Sequence, residues 1–173
     1  YAEQAVLVGA KPVSVPCLRP SFHPDMDALQ RAITPRTKAL LLNSPNNPTG
    51  AVYTPEEIQA IVDFSIQHDL WIISDEIYAE LIWNGTKHVS PAAIPGGFER
   101  TLTVTGPSKT HAMTGWRVGV IAAPNSVANL VGRIQGNTCS HIPSFIMPAA
   151  EIAANEWGPV EEFRDDYIQK RQR

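Results

Sequence analysis

No stretch of about 18 consecutive apolar residues occurs in this chain, so no helix is expected to span a bilayer. Cysteine is scarce. Cys17 and Cys139 stand alone in unrelated contexts, which excludes a disulfide scaffold and points to a reducing compartment. No block of like charge occurs apart from the closing "QKRQR", and the net charge is only −3. A general nucleic-acid or membrane-surface role is therefore not expected. The opening "YAEQAVLVGAKPV" lacks the basic-then-apolar layout of a secretory signal. No internal repeat, low-complexity tract or clear linker is present, and no metal site is expected. What remains is an ordinary globular composition, 43% apolar and 18% charged over 173 residues. That length can bury the core of one domain, or of one domain with an appendage, in a soluble cytoplasmic protein.

The order of elements is more informative. "KPVSVPC" reads as a short strand, and "HPDMDALQRAI" as a helix with Met26, Leu29 and Ile33 at helical spacing and Asp25 as its cap. "TKALLLNSP" holds four apolar residues in a row, bounded by turn chemistry, which suits a parallel strand covered on both faces. "TPEEIQAIVDFSIQHD" carries a complete helix start: Thr54 as cap, Pro55 at the first helical position and Glu57 closing a capping box. "LWIISDEIY", "RTLTVTGPSK" and "WRVGVIAAP" read as further strands, and two or three helices are expected over 125–173. Alternation of strand and helix predicts a three-layer α/β fold, a mostly parallel sheet with helices on both faces.

In such a sheet, ligands collect beyond the carboxyl ends of the strands. Three polar clusters fall there: "NSPNNPTG" (43–50), "SDEIY" (74–78) and "GPSK" (106–109). Any one of them is an adequate turn or helix start. Together with Arg117 they offer amide, carboxylate, phenol, hydroxyl, amine and guanidinium groups to one edge, a set able to hold an anionic heterocycle and bond to it covalently.

The motifs "NNPTG", "SDEIYAEL" and "SKTHAMTGWRVG", in this order and at these separations, resemble the pyridoxal-phosphate-dependent aminotransferases of fold type I, in the class that includes aspartate and aromatic transaminases. The resemblance covers essentially the whole chain. It implies that Lys109 carries pyridoxal 5'-phosphate as a Schiff base and later shuttles a proton. That chemistry needs an amine often unprotonated, and burial or a neighbouring cation lowers an amine's pKa. Asp75 would keep the cofactor's pyridine nitrogen protonated, though both Asp75 and Glu76 also suit a helix cap, Glu76 better. Tyr78 and Asn47 would hydrogen-bond the ring oxygen, and Asn47 would also reach the substrate carboxylate. Arg117 and Ser108 would bind the phosphate, the guanidinium by its planar fork of donors.

Two positions depart from the family pattern. Gly106 stands where many members carry Ser, which shifts the hydroxyl share of phosphate binding toward Thr105 or upstream residues. His111 replaces the usual Tyr or Phe, as in a subgroup similar to arginine–pyruvate transaminases, and reads more readily as a packing or loop histidine than as a substrate contact. Gly115 and Gly119 are expected to allow tight backbone passage.

The resemblance further implies an amino acid and a 2-oxo acid as substrates and a homodimer with the active site at its interface. The segment 137–151 would reach the neighbouring subunit, with Ser140 as an interface candidate. Residues 1–155 would be a cofactor-binding large domain, incomplete at its N-terminus, and 156–173 a helix leading toward a small domain. Family members are more than twice as long. A phosphate-binding loop and a ring-stacking aromatic would precede Tyr1, and a carboxylate-binding arginine would follow Arg173. Residues 1–173 alone are therefore expected not to turn over amino acids. The rival readings are a carbon–sulfur β-lyase or decarboxylase on the same cofactor, and an aminotransferase-like regulatory ligand-binding domain.

Overall fold

Two proline-rich turns and two short helices make up the first 37 residues, one of two compact units in the computed structural model, which describes residues 1–83 and 85–172. Helix α1 spans Ala2–Leu7 and α2 spans Met26–Ala32. Asp25 caps α2 as expected, its carboxylate accepting from the Ala28 N–H at 2.8 Å. "KPVSVPC" forms no strand; only an isolated bridge between Cys17 and Pro24 appears there. Pro12 and Pro16 remove backbone donors that a ladder would need.

The second unit runs from Lys38 onward and holds the sheet. Its strands are β1 (Ala39–Asn43), β2 (Trp71–Asp75), β3 (Thr101–Thr105) and β4 (Val120–Ala122), in that spatial order. The first three are parallel and β4 returns antiparallel to β3, so the sheet is mixed. The register places Leu40, Ile72 and Thr101 abreast on one face, and Leu41, Ile73 and Leu102 abreast on the other.

Helix α3 (Pro55–Gln67) covers the first face. Its start is the capping box read from the sequence: Thr54 Oγ1 accepts from the Glu57 N–H, and the Glu57 carboxylate accepts from the Thr54 N–H at 2.8 Å. Ile58, Ile61 and Val62 turn inward against β2 and are essentially solvent-free, as are Leu70 and Ile72. Each such side chain contributes about 1.5–3 kcal/mol by leaving water. Arg100 fastens this core to the start of β3, its Nη1 donating to the Ser65 and Leu70 carbonyls at 3.1 and 3.0 Å. The other face is more open, with Leu41 and Trp71 about two-fifths exposed.

After β3 comes α4 (Pro107–Thr110), a single turn, and after β4 come α5 (Asn125–Thr138), α6 (Met147–Asn155) and α7 (Gly158–Arg171). The helix expected over 156–173 thus spans Gly158–Arg171, and Arg173 lies outside the described residues. Among the described residues no helix is long and apolar enough to cross a membrane.

Candidate active site

Parallel pairing puts the carboxyl ends of β1, β2 and β3 on one edge, with Asn43, Asp75 and Val104 level in register. The three polar clusters therefore leave the sheet side by side. Asn43, which sequence reasoning left without a role, organises the first of them. Its Oδ1 accepts from Asn46 Nδ2 at 3.1 Å and from the Asn47 N–H at 3.3 Å, while its Nδ2 donates to the Asp75 carbonyl at 3.2 Å. One amide thus ties the Asn-Pro turn to the end of β2. An asparagine closing an apolar strand was the available sign, since that position has backbone groups of the next loop within reach.

Tyr78 is where the clusters meet. Its phenol oxygen accepts from Asn47 Nδ2 at 3.2 Å, and the Lys109 ammonium lies 5.7 Å from its ring centroid. Asn47, Tyr78 and Lys109 come from the first, second and third strand ends respectively. An open pocket of about 260 Å³ lies beside them, lined by Asn46, Asn47, Pro48, Gly50 and Tyr78. Asp75 is the last residue of β2, and its Oδ1 accepts from the Ile77 N–H at 3.1 Å. No helix follows β2. Residues 77–80 form a turn, so neither Asp75 nor Glu76 caps a helix. Glu76 is instead buried, at 5% exposure, bonded to His88 and Ser90.

Ser108 and Lys109 sit on the single turn of α4. The carbonyl of Ser108 accepts from the Thr114 hydroxyl at 3.0 Å, which folds the following loop back on the turn. Arg117 closes that loop in the left-handed region, at φ 56°, and its Nη1 donates to the Thr114 carbonyl at 3.1 Å. Ser108 and Arg117 are thus joined through Thr114, and among the described residues no hydrogen bond or ion pair joins either side chain to Asn47, Tyr78 or Lys109.

Backbone crowding falls at Gly106 rather than at Gly115. A Cβ on Gly106 would lie 2.9 Å from the Val118 carbonyl oxygen, whereas one on Gly115 would meet open space. With φ 156°, Gly106 lets β3 leave the sheet against the approach to β4, where a serine would force the backbone apart. His111 is a loop-packing histidine: its Nε2 donates to the Glu156 carbonyl at 2.9 Å, its Nδ1 meets the Thr110 hydroxyl at 2.8 Å, and its ring stands edge-on to Trp157.

Comparison with known proteins gives the family and supports the fold. The family described as aminotransferase class I and II matches residues 1–173. Aromatic-amino-acid aminotransferase 2 of Thermococcus litoralis is 44% identical over 99% of this chain and 45% of its own length. Aspartate aminotransferase of Pyrococcus abyssi is 43% identical over the same shares. The crystal structure of an aromatic aminotransferase from Pyrococcus horikoshii superposes with a TM-score of 0.94 at 43% identity, covering 99% of this chain and 47% of that one. The chain thus spans a little under half the length of these relatives. Matched from its first residue to its last, it belongs to the class I and II aminotransferases.

Proposed function

We propose that the protein carrying this chain is a pyridoxal-phosphate-dependent aminotransferase that moves an amino group between an amino acid and a 2-oxo acid. The observation that supports this most directly is the convergence on Tyr78, with Asn47 bonded to its phenol and Lys109 beside its ring. An amide, a phenol, an amine and the nearby Asp75 carboxylate form a donor set that fits a phosphorylated heterocyclic aldehyde. When bound, pyridoxal phosphate supplies an aldehyde that takes up an amine and a ring that accepts electrons from the substrate's α-carbon.

The side chains divide the remaining work. Lys109 Nζ is the attachment point and, once free, takes and returns the proton of the α-carbon. The Asp75 carboxylate holds a proton on the ring nitrogen by charge and hydrogen bonding. Tyr78 and Asn47 hydrogen-bond the ring oxygen, and Asn47 also reaches the substrate carboxylate. Arg117 spends one N–H on Thr114, which leaves the rest of its fork for the phosphate, beside the Ser108 hydroxyl.

Residues 1–155 would then belong to the cofactor-binding large domain, and 156–173 would lead toward a small domain. A homodimer is supported by the exposed apolar side chains of Leu130, Ile134, Phe145 and Met147, a surface that suits a second subunit. The free, exposed thiols of Cys17 and Cys139 fit a cytoplasmic setting.

Borohydride reduction of the protein loaded with pyridoxal phosphate tests the assignment. The pyridoxyl mass is expected on the peptide containing Lys109; a label on Lys11, Lys38 or Lys87 instead would refute it. Conversion of a panel of amino acids, with pyruvate or 2-oxoglutarate as acceptor, then identifies the substrates.

A further inference from the structure

One buried carboxylate among the described residues is not used by the proposed chemistry. Glu76 is 5% exposed, and burying a carboxylate costs several kcal/mol unless its oxygens are satisfied. They are. His88 Nε2 donates to Oε2 at 2.8 Å, and the Ser90 hydroxyl donates to Oε1 at 2.7 Å. A carboxylate only accepts, so the His88 bond fixes a proton on Nε2. The other ring nitrogen, Nδ1, is buried and has no hydrogen-bond partner among the described residues. Ser90 in turn accepts from the Ala92 N–H at 3.3 Å and caps a short 3-10 turn whose first residue, Pro91, is buried. Burial would push the Glu76 carboxyl up, but hydrogen bonds from His88, Ser90 and Ser74, with the charge of His88, hold it below the ordinary carboxylate range.

An apolar side chain would fill this space at lower cost, so the directional bonds call for a role. Glu76 lies between Asp75 and Tyr78. Its N–H donates to the Val104 carbonyl of β3 at 2.9 Å, and its own carbonyl accepts from the Ala79 N–H at 2.9 Å. The next N–H, that of Ile77, donates to the Asp75 carboxylate, and the Tyr78 carbonyl accepts from the Leu81 N–H at 2.9 Å. The segment from the end of β2 into the turn, which carries both Asp75 and Tyr78, is therefore anchored at one residue, through its backbone to β3 and through its side chain to 88–90.

We propose that Glu76, clamped by His88 and Ser90, is a positioning residue of the active site, holding the turn that presents Asp75 on one side and Tyr78 on the other. This rests on the reading that pyridoxal phosphate binds there. Releasing the clamp lets both groups drift from the ring. A ring oxygen that loses the Tyr78 hydrogen bond is more basic, and a ring nitrogen that loses the Asp75 charge gives up its proton and withdraws less electron density, so the pH midpoint of the visible absorption rises.

The test compares Glu76→Gln, His88→Leu and His88→Gln with the native protein, by pH titration of the absorption of bound pyridoxal phosphate and by its Kd. In Glu76→Gln and His88→Leu the midpoint should move up by about one unit and the Kd rise about tenfold, the scale of one hydrogen bond to a charged group. His88→Gln, whose amide can still donate to Glu76, should stay near native. Variants that are folded by circular dichroism yet keep the native midpoint and Kd would make the cluster a strut for residues 88–93 and overturn the proposal. If Glu76→Gln and His88→Leu do not fold, Ser90→Ala removes the bond to Glu76 and the cap on Ala92 while leaving His88 in place, and is read the same way: a midpoint raised in the same direction supports the proposal, and an unchanged one overturns it. A native protein that takes up no pyridoxal phosphate, or holds it on another lysine, would refute the underlying reading and this inference with it.

Discussion

Replacing Asp75 by Asn separates chemistry from fold more cleanly than any other change at this site. An Asp75 side-chain hydrogen bond that bears on local structure runs from the Ile77 N–H to Oδ1 at 3.1 Å. Asn is isosteric and keeps a carbonyl oxygen to accept it, so the 77–80 turn should persist. Its stability should change by less than about 1 kcal/mol, the net scale of one neutral hydrogen bond. The charge is what disappears. Two unit charges at contact distance in an effective dielectric near 20 interact by about 4 kcal/mol. If that interaction keeps the ring nitrogen protonated while the α-carbon loses its proton, the rate should fall about a thousandfold. The assay is rapid mixing of the cofactor-loaded protein with an amino acid, alongside urea unfolding of native and variant proteins. A variant with near-normal turnover would leave Asp75 a structural role and refute the reasoning. A large loss of stability together with activity would show that the charge serves the fold.

Two further outcomes follow from the packing. Thr54→Ala opens the capping box at the start of α3 and should destabilise the protein by about 1 kcal/mol in urea unfolding. The carboxyl of Glu76 is held below its ordinary value in the folded state, so its stabilising contribution is complete at neutral pH. That contribution should fade as pH falls below about 4.3, the unfolded value, and be lost through the lower folded value. Comparing acid unfolding of the native protein with Glu76→Gln checks this: the variant's curve should be flatter over that range.

Some of this protein was legible in the residues alone because the determinants are local. The capping box at Thr54 and Glu57 needs only residues three apart, and the cap at Asp25 reaches only Ala28. The apolar runs at 39–42 and 70–73 announce strands whatever surrounds them, although only one face is buried where cover on both was expected, and motif order was enough to indicate the family. Locality also set the errors. "KPVSVPC" has strand-like alternation, but no strand formed beside its prolines, and "SDEIY" has helix-start chemistry yet leads into a turn. There the competing bonds come from far along the chain. Glu76 is claimed by His88 and Ser90, twelve and fourteen residues away, and its N–H by Val104 of the neighbouring strand. Asn43 and Asp75 are 32 residues apart, Asn47 and Tyr78 31, and only parallel pairing of β1 with β2 brings them within bonding distance. Which residues could do the chemistry was written in their types and order. Which of them touch was decided by sheet register, because a hydrogen bond of about 3 Å between distant residues exists only once the strands between them have aligned.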